Sequence, residues 1–374
     1  MRIFIHTFSI SVNITKEEYR KLISYKWMPL QKSYKSKDYF SSVIEFCDNG
    51  LQIQIKKRNE KEICYDKRHR PFRIDLVVTP YKLLHPGKNL GAITDLDELR
   101  EALKVLSTLI DKIENDTGIV IDSKYKIRRV DITCDVVTPS DAYSHEIIAA
   151  SKTADLPYGY SKCEATEEQM EEYGWEREDC SLYYNKNQSL FAKIYDKKKN
   201  IQGTEAYSDL QQKGLVRYEL ALTRKFLKGK ELLEQDNLVK CLAAVMSSAE
   251  ELFRAYFLEK LYGMPMLSLK VLDQYLELKY AGKIRTLEKL KRFCRAANSC
   301  KKQGLTFSAM QCDMSDKVFE NCCEKFEDIN VSPIPADNDC PYIPSIEDLL
   351  DGTVENKLLW FADKHTRGKE LWFI

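Results

Sequence analysis

The chain has 374 residues, 44% hydrophobic and 31% charged, which excludes a disordered polypeptide and leaves length for two domains. With 58 basic against 57 acidic residues the formal net charge is +1, so nucleic-acid binding does not follow from bulk charge and needs segregated patches. The start, MRIFIHTFSISV, has no signal-peptide core, no apolar run approaches the ~18 residues that span a bilayer, and twelve cysteines form no CxxC pair; the expectation is reduced thiols, no membrane and a cytoplasmic location.

Residues 1–12 alternate like a strand, and residues 41–56, with Asn49-Gly50 at their centre, give the clearest hairpin signal. Residues 73–79 predict a strand that carries Asp75 in an otherwise apolar run and stops at Pro80. Residues 96–113 predict a helix, because Leu99, Leu103, Leu106 and Ile110 recur at i+3/i+4 spacing, with Asp95 set to cap it. In the strand expected over 125–137, Val130, Ile132, Cys134 and Val136 share one face, and Asp131, Thr133 and Asp135 the other. A helix over 140–151 follows. Residues 163–179 then form an acidic insertion with Glu164, Glu167, Glu168, Glu171, Glu172, Glu176, Glu178 and Asp179.

Residues 181–200, SLYYNKNQSLFAKIYDKKKN, predict two short strands about a polar turn at 186–189. In an extended strand Phe191, Lys193, Tyr195 and Lys197 point one way, and Leu190, Ala192 and Ile194 point to a core. Tyr195 is thus flanked by Lys193 and Lys197, an arrangement that suits a phenol brought to a phosphodiester and, taken alone, is more commonly a solvated strand face. Residues 215–224 turn Val216, Tyr218, Leu220 and Leu222 inward, and Arg217, Glu219 and Ala221 outward. Strands with tight hairpins and interspersed helices indicate an α+β domain, mostly antiparallel, over 1–230.

Beyond it the pattern turns helical. Helices are predicted over 238–261, 269–280 and 286–302, in a smaller helical domain spanning 231–327. The third buries Leu287, Leu290, Cys294 and Ala297 and carries Lys289, Lys291, Arg292, Arg295, Lys301 and Lys302 on its other sides. Such a face is either solvated or turned to phosphates. Residues 328–374 read as linker and tail, with Trp360, Phe361, Trp372 and Phe373 packing back.

Carboxylates inside β-branched runs are costly to bury unless paired or metal-bound. Asp75, Asp131, Asp135 and Glu219 beside a lysine-flanked tyrosine therefore look like a hard-cation site, for which oxygen ligands favour Mg²⁺ or Mn²⁺. The chain has no Gly-rich phosphate loop, and its five histidines are scattered without a His-apolar-His pair.

RRVDITCDVV, the YDK of LFAKIYDK and GLVRYELALTRKFL, preceded by RIDLVVTPYKLL and GKNLGAITDLDELREALKVL, resemble the filamentous-phage gene-two-type replication initiators. The likeness runs from about residue 73 to 232. It implies a site-specific DNA nicking-closing enzyme that initiates rolling-circle replication through a 5′-phosphotyrosine, with divalent-metal dependence. It implies Tyr195 as nucleophile with Lys197 beside it, and Asp75, Asp131 and Glu219 as the family acids. Asp135 is not an acid throughout the family, and the acidic insertion departs from its pattern. Tyr183 or Tyr184 on the neighbouring strand are alternative nucleophiles. Lys193, Arg217, Lys291, Arg292 and Arg295 are the expected DNA contacts, with Arg217 either meeting phosphate or holding Glu219. Expected partners are single-stranded or supercoiled origin DNA, a host helicase and a polymerase. A mobilisation relaxase and a non-catalytic DNA-binding module remain as alternatives.

Overall fold

The computed structural model describes residues 3–24, 30–35, 42–58, 63, 69–88, 90–93, 95–121, 124–156, 158–165, 167, 170–171, 176, 179–185, 187–233, 237–257, 263–345 and 347–348. Side chains are described for these except 30–35, 42–48, 184–185, 257 and 311–313. The expected packing of Trp360, Phe361, Trp372 and Phe373 lies outside the described residues.

Two compact units emerge, one of residues 3–133 and 221–249, the other of 1–2, 134–220 and 250–374. Each unit is drawn from separate stretches of the chain.

The first unit begins with β1 (Phe4–Ile14), followed by α1 (Lys16–Ser24), β2 (Leu30–Lys35), β3 (Ser42–Asp48), β4 (Leu51–Lys57) and β5 (Phe72–Val78). Short α2 (Pro80–Leu84) and long α3 (Leu96–Thr117) come next, and then β6 (Lys126–Thr138). Strand order here is β2-β3-β4-β5-β1-β6, and each pair is antiparallel. Asn49-Gly50 makes the β3–β4 turn with φ of 35° and 93°. A side chain at Gly50 would also collide with Thr79 O and Lys82 Cβ, both 2.8 Å from a Cβ built there. Asp95 caps α3 by accepting from the N–H groups of Asp97 and Glu98, and the helix buries Leu99, Ala102, Leu106, Ile110 and Ile113.

The second unit takes up α4 (Asp141–Thr153), β7 (Tyr160–Cys163), β8 (Cys180–Asn185) and β9 (Leu190–Asp196). After α5 (Lys197–Asn200) and α6 (Glu205–Leu210) comes β10 (Gly214–Thr223), giving the neighbour order β10-β9-β8-β7. The short α7 (Arg224–Gly229) and most of α8 (Leu238–Phe257) belong to the first unit again. The strand pair β11 (Met266–Leu267) and β12 (Tyr342–Ile343) brackets α9 (Leu269–Lys279), α10 (Ile284–Lys302), a 3₁₀ turn over Phe307–Asp313 and α11 (Asp316–Asp328). These helices share a core in which Phe293 meets Phe307, Phe319 and Phe326 at centroid distances of 5.6, 5.6 and 6.0 Å. The architecture is α+β, as expected.

Lys301 does not lie on the outer side of α10 as the periodicity suggested. Its side chain is 4% exposed and its ammonium donates to Glu146 on α4 (2.6 Å), to the Pro335 carbonyl (2.8 Å) and to Asp337 (3.3 Å). One buried lysine thus ties α10 to α4 and to the loop after α11. The described cysteines are free thiols, and burial pushes Cys134 and Cys340 up to about 12. Among the described residues no helix is long and apolar enough to cross a membrane.

Candidate active site

β9 alternates as expected on its core side, where Leu190, Ala192 and Ile194 are buried. Its other face carries Lys193 and Tyr195 toward Glu219 on β10. The Tyr195 hydroxyl donates to Glu219 Oε2 at 3.1 Å, and the Lys193 ammonium donates to Oε1 at 2.8 Å. Two donors from one strand thus occupy both oxygens of one carboxylate.

This face is not solvated. Tyr195 is 5% exposed and packs with Cys180, Leu182 and Ala165, with Cys163 and Met170 against the same cluster. Ala165 and Met170 belong to the acidic insertion, which therefore roofs the tyrosine; Glu164, Glu167, Glu171 and Glu176 of the insertion are exposed, whereas Asp179 at its end is buried. The β8–β9 register explains the rest, since Cys180 lies opposite Tyr195 and Leu182 opposite Lys193.

Burial pushes the Tyr195 hydroxyl well above its ordinary value of 10.0, and the Glu219 charge adds to the shift while Arg217 opposes it. The phenol is thus held in its neutral form. Lys193 is turned to Glu219, and Lys197 is not on the strand at all. β9 stops at Asp196, whose carboxylate accepts from the Lys199 N–H and caps α5, so Lys197 opens a helix.

Arg217 and Glu219, expected outward, are buried on a strand covered on both faces. Arg217 forks onto Asp135 of β6, Nε to Oδ1 at 2.5 Å and Nη2 to Oδ2 at 2.6 Å. Burial works against its charge, but the Asp135 carboxylate outweighs this and holds the guanidinium above its ordinary value. Asp135 is thereby a counter-ion.

Asp75 and Asp131 belong to the other unit. Asp131 faces Thr7 across the β1–β6 ladder and pairs with Arg129 at 2.8 Å. Asp75 faces Ser11 across β1–β5 and pairs with Arg73 at 2.8 Å and Lys56 at 3.4 Å. Thr7 and Ser11 are four apart on β1, so both aspartates lie on the same side of this ladder. Tyr183 sits opposite Ala192, on the face away from Tyr195, and its hydroxyl donates to the Tyr256 carbonyl. On α10, Lys291 bonds Glu277 at 2.5 Å and Arg295 bonds Asp273 at 3.1 Å, both acids being on α9, whereas Arg292 is exposed.

Residues 27–240 match the family described as the N-terminal part of the phage replication-associated gene-two protein. The chain belongs to this family. No curated protein matches it. Among solved structures it is similar to a rolling circle replication initiator protein from Geobacillus stearothermophilus, with 12% identity over 68% of this chain and 85% of that one, at a TM-score of 0.29. It is also similar to the di-domain ARO/CYC StfQ of the steffimycin biosynthetic pathway, with 9% identity over 67% and 94%, at a TM-score of 0.21. Both likenesses are distant. The family match spans both β9 and β10, and so includes Tyr195, Lys193 and Glu219.

Proposed function

We propose that this protein is a site-specific DNA nicking-closing enzyme that starts rolling-circle replication, with Tyr195 as nucleophile. The observation that carries this reading is the Tyr195 hydroxyl held on Glu219 beside Lys193, in a chain of the gene-two replication protein family. Glu219 lies where it can take the phenolic proton as Oη attacks phosphorus. The P–O3′ bond breaks, the phosphoryl group passes to Tyr195 as a 5′-phosphotyrosine, and the 3′ oxygen takes up a proton and leaves as a hydroxyl for a polymerase. Once Glu219 carries the proton, Lys193 is released to face the phosphate charge. Attack by a 3′-hydroxyl in the reverse sense closes the strand and returns the proton to Tyr195. Because burial keeps the phenol neutral, deprotonation belongs to the attack and does not precede it. Origin DNA must first part Ala165 and Met170 from the ring.

A divalent ion, Mg²⁺ or Mn²⁺, would supply charge stabilisation at the phosphate. The family acids Glu219, Asp131 and Asp75 already hold Lys193, Arg129 and the Arg73–Lys56 pair, so a metal there must exchange with a side-chain cation. The remaining partners in this reading are origin DNA and a host helicase, with the reaction in the host cytoplasm.

The burial of Tyr195 favours one second reading, a DNA-binding module in which Tyr195, Lys193 and Glu219 only lock β9 to β10. Incubation with a labelled single-stranded origin oligonucleotide, followed by mass-spectrometric mapping of the DNA-bearing peptide, separates the two. An adduct on Tyr195 is expected. One on Tyr183 or Tyr184 moves the nucleophile one strand over, and no tyrosine adduct leaves the binding module.

A further inference from the structure

On the other side of β9 from Tyr195, three side chains converge that the nicking reading does not use. Asp196 ends β9, Asp179 immediately precedes β8, and His145 stands on α4. Cys180 pairs with Tyr195 in the antiparallel register, so one further step sets Asp179 and Asp196 opposite each other on one face. Like charges directly opposite are destabilising on a sheet, and burial sharpens the cost: the side chains are 2% and 4% exposed.

Each carboxylate has one oxygen fixed by donors and the other turned to the same place. Asp179 Oδ2 accepts from the Lys199 ammonium at 2.6 Å and from the Glu176 N–H at 2.7 Å. Asp196 Oδ1 accepts from the Lys199 N–H at 3.3 Å. Asp179 Oδ1 and Asp196 Oδ2 each lie 3.9 Å from His145 Nε2, beyond hydrogen-bond reach, and among the described residues neither has a hydrogen-bond donor. All three atoms fall within 4.8 Å of one another. Lys199 offsets one of the two negative charges and leaves one.

We infer that His145, Asp179 and Asp196 form a binding site for a divalent transition-metal ion, Mn²⁺ or Zn²⁺. One imidazole nitrogen with two carboxylate oxygens suits these ions better than Mg²⁺ or Ca²⁺, which prefer all-oxygen shells. The Lys199 and Glu176 donors orient the ligating carboxylates from behind. His145 is half exposed, so water can reach the site and complete the shell. The ion would pin the end of the acidic insertion to α4 and to the end of β9. This site stands apart from the nicking reading and does not depend on it.

Titration of the metal-free protein with Mn²⁺, followed by electron paramagnetic resonance, and with Zn²⁺, followed by calorimetry, tests it without any DNA. One ion is expected at this site, apart from any at the nicking acids, with its affinity falling at least about tenfold in His145→Ala and in Asp196→Asn and unchanged in Glu219→Gln. His145 is exposed enough for its truncation to leave the fold intact, which near-ultraviolet circular dichroism checks. Absence of binding by the wild type at millimolar metal, or equal affinity in His145→Ala, overturns the site. Loss of binding in Glu219→Gln alone also overturns it, and moves the ion to the tyrosine side.

Discussion

Tyr195 and Glu219 are joined by a 3.1 Å hydrogen bond although 24 residues separate them, and Lys193 holds the other oxygen of the same carboxylate at 2.8 Å. A phenol, a base and a cation thereby form one unit spanning two strands.

Tyr195→Phe removes the donor and keeps the ring. Strand cleavage and covalent linkage should vanish, while stability falls by only about 1 kcal/mol, since Lys193 still satisfies Glu219. Gel assays of supercoiled origin DNA and urea unfolding measure the two effects separately. Retained cleavage in this variant removes Tyr195 from the mechanism.

The raised Tyr195 pKa has a defined sign. The unfolded chain ionises this phenol near 10.0 and the folded one only well above it, so its stabilising share is complete below pH 10 and lost as pH rises beyond. Tyr143 and Tyr342, pushed by burial to about 12, act in the same sense. Urea midpoints measured from pH 8 to 11 should fall less steeply for Tyr195→Phe than for wild type. Parallel curves would mean the phenol is not buried in solution.

Lys301→Ala leaves Glu146 and the Pro335 carbonyl without their ammonium partner. A loss of about 3 kcal/mol is expected from breaking a buried pair in this way. Lys302→Ala, one residue on and exposed, should change stability by less than about 0.5 kcal/mol. Chemical denaturation of the two variants makes the comparison, and equal effects would contradict the buried network.

On α10 Arg292 is exposed, where it can meet phosphate. Arg292→Ala should reduce the log–log salt slope of origin binding by about one. Lys291→Ala and Arg295→Ala should reduce it less, because Glu277 and Asp273 already hold those charges. A slope unchanged in all three would return the helix to plain solvated surface.

Local signals carried much of the fold. The Asn49-Gly50 turn, the Asp95 cap and the alternation of β9's core side depend on neighbours a few residues away, and all three are visible in the chain as written. What sequence did not disclose depends on partners far along the chain. Arg217 and Asp135 are 82 residues apart, Lys301 and Glu146 155 apart, and no periodicity says that a basic residue on an outer face will be buried. The strand expected through Lys197 failed for a local reason of another kind: Asp196 caps a helical turn by accepting from the Lys199 N–H, and this cap prevails although three lysines stand at the positive end of the helix dipole. The Asp179–Asp196 convergence was hidden because it requires the β8–β9 register, which a turn length alone does not determine.

The apolar roof of Ala165, Met170, Cys163 and Leu182 over Tyr195 bears on lifetime as well as access. A phosphotyrosine ester conserves the energy of the broken DNA linkage only while water stays out, and hydrolysis would end the cycle with a strand that cannot be rejoined. If the roof settles back over a linked Tyr195, the ester waits in a dry enclosure while an entire circle is copied, and the strand end stays competent for closure. Opening the roof, for instance with Ala165→Asp, should then shorten the half-life of the isolated covalent complex in buffer, a decay that gel electrophoresis follows directly.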